Sequence, residues 1–104
     1  MQETIRILMT DDHPIIIEGY QNTLLATKKE SQDLTIDIAN NCDQSIDLMN
    51  KSIEDGKEYN ILFMDISLPP SSDGTITSGE DLSKHARTIL PDAKIIILTM
   101  FNEP

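Results

Sequence analysis

The chain has 104 residues, 38% of them hydrophobic, with 18 acidic and 8 basic side chains and a formal net charge of −10. This is one domain or part of one, with a modest core, and its acidic surface argues against nucleic-acid binding by this segment. The single cysteine, Cys42, excludes an internal disulfide, and neither a leader-like start nor an apolar run near the roughly 20 residues of a membrane span is present, so a soluble cytoplasmic protein is expected.

The first element is the apolar run Ile5-Arg6-Ile7-Leu8-Met9, which reads as a strand. A helix follows over roughly Pro14 to Lys29. Pro14 suits its first turn, and Ile17, Tyr20 and Leu24 form an apolar stripe that Ile16 and Leu25 widen. Leu34 to Ala39 alternates apolar and polar residues, as in a strand at a sheet edge or with one half-exposed face. The second helix runs roughly from Asp43, its expected N-cap, to Glu54, with Ile46, Met49 and Ile53 on one face. Asp55-Gly56 is its stop signal.

The third strand, Ile61-Leu62-Phe63-Met64, is continuously apolar, which suits burial on both faces. Pro69 to Thr77 has no periodicity and many turn formers, and it is expected to be a mobile surface loop. A third helix follows over roughly Ser78 to Leu90. Ser78 and Asp81 approximate a capping box, Leu82, Ala86, Ile89 and Leu90 make the buried face, and Pro91 ends it. Ile95 to Thr99 is the fourth strand and the most apolar run.

The order βαβαβαβ implies an α/β fold, a parallel sheet with helices on both faces. Nothing beyond Thr99 reads as a further element. A four-stranded sheet ending on Ile95 to Leu98 would expose an apolar edge. The expectation is therefore a fragment of a longer chain, or a sheet that a second copy covers as a homodimer or swapped dimer through the strand-4 region.

In open parallel sheets the functional crevice lies at the carboxyl ends of the strands. Asp11 and Asp12 follow strand 1, Asp65 ends strand 3 and Thr99 ends strand 4. Neighbouring strands lie about 4.8 Å apart, so three carboxylates and a hydroxyl would converge if these strands are adjacent. Such carboxylates repel one another and call for a hard divalent cation such as Mg²⁺, beside which one of them can act as a nucleophile towards phosphorus. Taken singly each feature has an ordinary structural explanation, since an Asp pair after a strand is often only a helix cap. For His13 a role as ligand or proton shuttle is weighed against that of a surface residue at the loop-to-helix junction, and the latter is expected; His85 reads as solvated and Cys42 as structural.

Asp11-Asp12-His13-Pro14, Phe63-Met64-Asp65-Ile66-Ser67-Leu68-Pro69, Gly79-Glu80-Asp81-Leu82 and Pro91 to Thr99 together resemble the receiver domain of two-component response regulators. The Asp-Asp-His-Pro form is similar to the subfamily with LuxR-type helix-turn-helix output domains. The resemblance implies a flavodoxin-like, doubly wound parallel sheet of order 2-1-3-4-5. It implies that Asp65 accepts phosphate from a sensor histidine kinase, that Asp12 and Asp65 ligate Mg²⁺ with Asp11 acting largely through water, that the Ser67 backbone carbonyl is a further ligand and that Thr99 is the switch hydroxyl.

On that pattern the chain is the N-terminal portion of a receiver. Strand 5 with its phosphate-pairing lysine and switch aromatic, helix 5 and any output domain are not in the sequence. Pro70 to Ser78 is longer than the family's usual connection. Met100 stands where the family usually has a small residue, and its bulk would restrict access to Asp65. A regulatory phosphoacceptor rather than an enzyme is thus expected. A Mg²⁺-dependent phosphatase is the competing reading, but the general-acid Asp those enzymes commonly carry two residues after the nucleophile is here Ser67. A nucleotide- or flavin-binding fold is disfavoured because the first strand-to-helix turn is acidic and lacks glycine.

Overall fold

A computed structural model of the chain describes residues 3–99. The elements are β1 (Glu3–Thr10), α1 (Pro14–Thr27), β2 (Gln32–Ala39), α2 (Cys42–Glu54), β3 (Ile61–Asp65), α3 (Gly79–Ile89) and β4 (Lys94–Leu98). The strands form one parallel sheet of order β2-β1-β3-β4, so the chain has the doubly wound α/β architecture expected of it. Met100 and the residues after it lie outside the described part.

The pleat sends alternate side chains to opposite faces and so builds two cores. On one face Leu8, Leu62 and Met64 pack against Met49 of α2 and Leu82, Ala86 and Leu90 around α3. On the other, Ile7, Met9 and Phe63 pack against Ile17 of α1. Leu8, Leu62 and Met64 are fully buried, and each such side chain contributes about 1.5–3 kcal/mol. The α1 face is the thinner one: Ile5, Leu34, Ile36, Ile61, Ile96 and Leu98 there are only partly buried. β3 is buried on both faces as its continuous apolar run predicts, whereas β4, at the sheet edge, leaves Ile97 39% exposed. Within α1, Tyr20 and Leu25 are exposed, so the buried stripe is narrower than the periodicity suggests.

Two helix starts differ from expectation. α2 begins at Cys42, and its N-cap is Asn41, whose side chain accepts from the Gln44 N–H at 2.8 Å. Burial of Cys42 in the core draws it into the first turn, which moves the cap two residues upstream of Asp43. α3 is capped by Ser78, which accepts from the Asp81 N–H as expected. The return half of the box goes instead to Thr77, whose N–H donates to the Asp81 carboxylate at 3.0 Å. After α2, Gly56 takes a φ of 67°, the left-handed turn that Asp55-Gly56 signals.

The segment between β3 and α3, expected to be a mobile loop, is folded onto itself. Ser71 and Ile76 pair through the Ser71 N–H and the Ile76 carbonyl at 2.8 Å, and the Ile76 N–H returns to Ser71 Oγ at 3.0 Å. Asp73 Oδ1 accepts from Ser71 Oγ, from the Thr75 N–H and from Thr75 Oγ1. Ile76 enters the core, the Ser72 N–H donates to Asp43 and the Cys42 thiol donates to the Pro69 carbonyl. The Asp and hydroxyl side chains supply the hydrogen bonds that regular structure would otherwise provide.

Candidate phosphoacceptor and metal site

The site forms where β1 and β3, the central strands, end side by side. Thr10 pairs with Met64, which puts the residues after both strands at one rim. The Asp11 N–H continues the ladder to the Ala39 carbonyl, and the Ile66 N–H does so to Leu98. These bonds carry the sheet's geometry into the two loops and fix where Asp11 and Asp65 stand.

Asp11 and Asp65 are buried, while Asp12 is exposed. One ligand atom from each of Asp11, Asp12, His13 and Asp65 lies within 4.8 Å of the others. The three carboxylates expected to converge therefore do so. His13, expected at the surface junction, joins them although its side chain stays half exposed. Its Nδ1 lies 2.7 Å from Asp11 Oδ1, 3.0 Å from Asp12 Oδ1 and 3.5 Å from Asp65 Oδ2. The His13 N–H also donates to Asp11 Oδ1 at 2.9 Å, an Asx turn that curls the ring back over the carboxylates. The side-chain hydrogen bond to Asp11 raises the imidazole pKa above its ordinary value. Partial desolvation opposes the rise, and the negative charges of Asp12, Asp11 and Asp65 add to it.

The two oxygens of Asp65 differ. Oδ1 accepts from the Ser67 N–H at 3.0 Å and from Ser67 Oγ at 2.9 Å. Oδ2 is buried and has no hydrogen-bond partner among the described residues. A buried carboxylate oxygen left bare is costly, so its lone pair is available to a cation or an electrophile. The donor set of three carboxylates, with one bare buried oxygen, fits a hard divalent cation. Ser67 thus reaches Asp65 through its N–H and hydroxyl. Thr99 follows Leu98, the register partner of Asp65, but it is exposed, and no hydrogen bond joins it to the carboxylates among the described residues.

No protein-family model matches the chain. Among curated proteins it is similar to the oxygen regulatory protein NreC of Staphylococcus epidermidis, 27% identical over 99 residues that cover 95% of this chain and 39% of NreC. NreC of Staphylococcus carnosus is 25% identical over 99 residues, again 95% of this chain and 40% of the relative. The chain thus spans about two fifths of the length of the curated relatives it matches. Among solved structures it is similar to the RcsB response regulator of Salmonella enterica serovar Typhimurium bound to promoter rprA in the presence of phosphomimetic BeF3⁻. The TM-score is 0.72 and the identity 25%, covering 96% of this chain and 50% of RcsB. In its flavodoxin-like strand order and its acidic rim the chain is thus similar to the receiver domains of response regulators.

Proposed function

We propose that this receiver accepts a phosphoryl group on Asp65 from the phosphohistidine of a sensor kinase, with Mg²⁺ bound at the acidic rim, and so controls a transcriptional output. The observation that carries the reading is the bare, buried Oδ2 of Asp65 beside Asp11 and Asp12. Asp12 and Asp65 would hold the ion directly, Asp11 would act largely through water, and the Ser67 carbonyl would complete the protein ligands. Bound Mg²⁺ supplies charge neutralisation for the phosphoryl oxygens.

The protein's own part is positioning. Ser67 fixes the Asp65 carboxylate through Oδ1, so the group meets phosphorus in a set orientation. A carboxylate oxygen of Asp65 bonds to phosphorus, the P–N bond to the donor histidine breaks, and that bond's electron pair stays on the imidazole. Thr99, at the end of β4, would then turn its hydroxyl towards the phosphoryl oxygens. The similarity to RcsB, solved with a phosphomimetic and promoter DNA, supports both the phosphorylation and the transcriptional output. No helix among the described residues is long and apolar enough to cross a membrane.

The test is incubation of the chain with acetyl phosphate or phosphoramidate and Mg²⁺, followed by borohydride trapping and peptide mass spectrometry. Labelling is expected on Asp65, lost in Asp65→Asn and lost with chelator. Label on another residue, or label that survives both treatments, would reject the assignment. Continuous turnover of a phosphomonoester would favour the phosphatase reading.

A further inference from the structure

Resting on the metal-centred reading above, we infer that His13 is itself a metal ligand, and that the rim takes first-row transition-metal dications in preference to Mg²⁺. His13 Nδ1 is within ion-pair range of all three carboxylates at once. Adjacent donors on an octahedral shell of roughly 2.1 Å radius stand about 3.0 Å apart. The Nδ1–oxygen distances of 2.7, 3.0 and 3.5 Å bracket that spacing. Nδ1 therefore stands at about shell spacing from an oxygen of each carboxylate, and with one ligand atom from each of the four residues within 4.8 Å of the others, modest movements would close them on an ion.

Two further observations point to an ion. Asp65 Oδ2, on the most deeply buried of these side chains, has no hydrogen-bond partner among the described residues. The His13 ring does not cap α1 although it occupies the N-cap position; its Nδ1 is turned instead onto Asp11 Oδ1 at 2.7 Å. Its backbone N–H is tied to Asp11 and Pro14 follows it, so the ring is held over the carboxylates by the chain itself.

The chemistry sets the preference. Mg²⁺ favours an all-oxygen shell, whereas imidazole nitrogen suits the later first-row ions, whose affinities rise from Mn²⁺ through Co²⁺ to Cu²⁺. The Asp12 and Asp65 carboxylates and one imidazole, with Asp11 largely through water, form a mixed set that such ions match better than Mg²⁺ does. In the opposite arrangement the imidazolium stands in for a cation and shuts metal out. The two arrangements predict opposite effects of removing the ring.

The experiment uses the tag-free chain and its His13→Ala variant. Pulsed electron paramagnetic resonance of bound Mn²⁺ should show modulation from a directly bound nitrogen in the wild type and none in the variant. In calorimetric titrations, Co²⁺ affinity should fall by about tenfold or more on His13→Ala, the scale expected on losing a ligand or its support. Mg²⁺ affinity should change by less than about threefold, because an oxygen-preferring ion gains little from the imidazole. Absence of the nitrogen signal in the wild type overturns the inference while leaving an all-oxygen Mg²⁺ site standing. Tighter binding of both ions by the variant overturns it in favour of the imidazolium plug. If the wild type binds neither ion, the metal-centred reading of Asp65 fails first and this inference falls with it.

Discussion

Gly79, the first residue of α3, packs directly against the backbone carbonyl of Asp65, so closely that any Cβ at position 79 would overlap the Asp65 carbonyl oxygen and carbon. The Gly79 N–H donates to the neighbouring Ile66 carbonyl at 3.3 Å, so the start of α3 and the end of β3 are seated as one unit. The obstacle is backbone rather than a yielding side chain. Gly79→Ala is therefore expected to cost about 1–3 kcal/mol of stability, as overpacking typically does, and to slow labelling of Asp65. Urea denaturation beside the phosphodonor assay checks both, and a variant that folds and labels like the wild type would show that the contact is slack.

Metal and Asp65 should be linked in stability as well as in chemistry. An ion held by the folded rim and not by the unfolded chain stabilises by about 2.7 kcal/mol at a hundred times its dissociation constant. Wild-type protein should melt at a higher temperature with Mg²⁺ or Co²⁺ than with chelator. Asp65→Asn should lose most of that response, and without metal it should be at least as stable as the wild type because a bare buried charge is gone. Calorimetric melting with and without metal reads both effects.

The phenol of Tyr59 donates to Asp37 Oδ2 at 2.7 Å, and burial first, then that bond and the Asp37 charge, push its pKa up from the ordinary 10. The neutral form is thus favoured by folding. Its contribution is fully present below pH 10 and is lost as pH rises above the unfolded tyrosine value. Stability of the wild type should fall more steeply above pH 10 than that of Tyr59→Phe. At neutral pH, Tyr59→Phe should cost about 1.5–3 kcal/mol, the range for a hydrogen bond to a charged group.

Asp73 has the opposite sign. The Thr75 N–H, then the Thr75 and Ser71 hydroxyls, hold its carboxyl at about 2 against an ordinary 3.8. Its contribution is present above pH 3.8 and disappears as pH falls towards 2. Carbon-detected magnetic resonance of the side-chain carboxyl should show a midpoint near the lower value, and Thr75→Val should move it up. A midpoint at the ordinary value would mean that the 71–76 hydrogen bonds do not persist in solution.

β4 forms one edge of the described sheet and exposes Ile97, so strand-to-strand association of two copies is expected. Light scattering should find a concentration-dependent dimer that Ile97→Lys disperses. A monomer at high concentration would argue against edge pairing.

Much of this could be read from the residues because parallel strands aim their carboxyl ends one way. Once Asp11 and Asp65 are placed after adjacent strands, their meeting follows from sheet geometry alone. His13 lies exposed at the junction as expected, but one ring there looks the same in sequence whether it points out or back over the carboxylates. The Asx turn from Asp11, two residues earlier, was the available sign. The 69–77 stretch lacked periodicity, but Ser71, Asp73 and Thr75 at alternate positions are the acceptors and donors of a self-bonded turn. For the α2 cap, Asn41 and Asp43 are equally able residues, and only the burial of Cys42 decides between them. No chain-local pattern could tell that Thr99 would be exposed, since that depends on what lies beside β4.

The inward-tied loop after β3 also determines how a binding partner would meet this rim. Its backbone groups are already spent on one another and on Asp43, and Ile76 anchors it from below. A docking protein would therefore find a preshaped knob next to Asp65 rather than a strand to be ordered on arrival. Recognition there forfeits little chain entropy, and selectivity falls to the outward shape of residues 72–75.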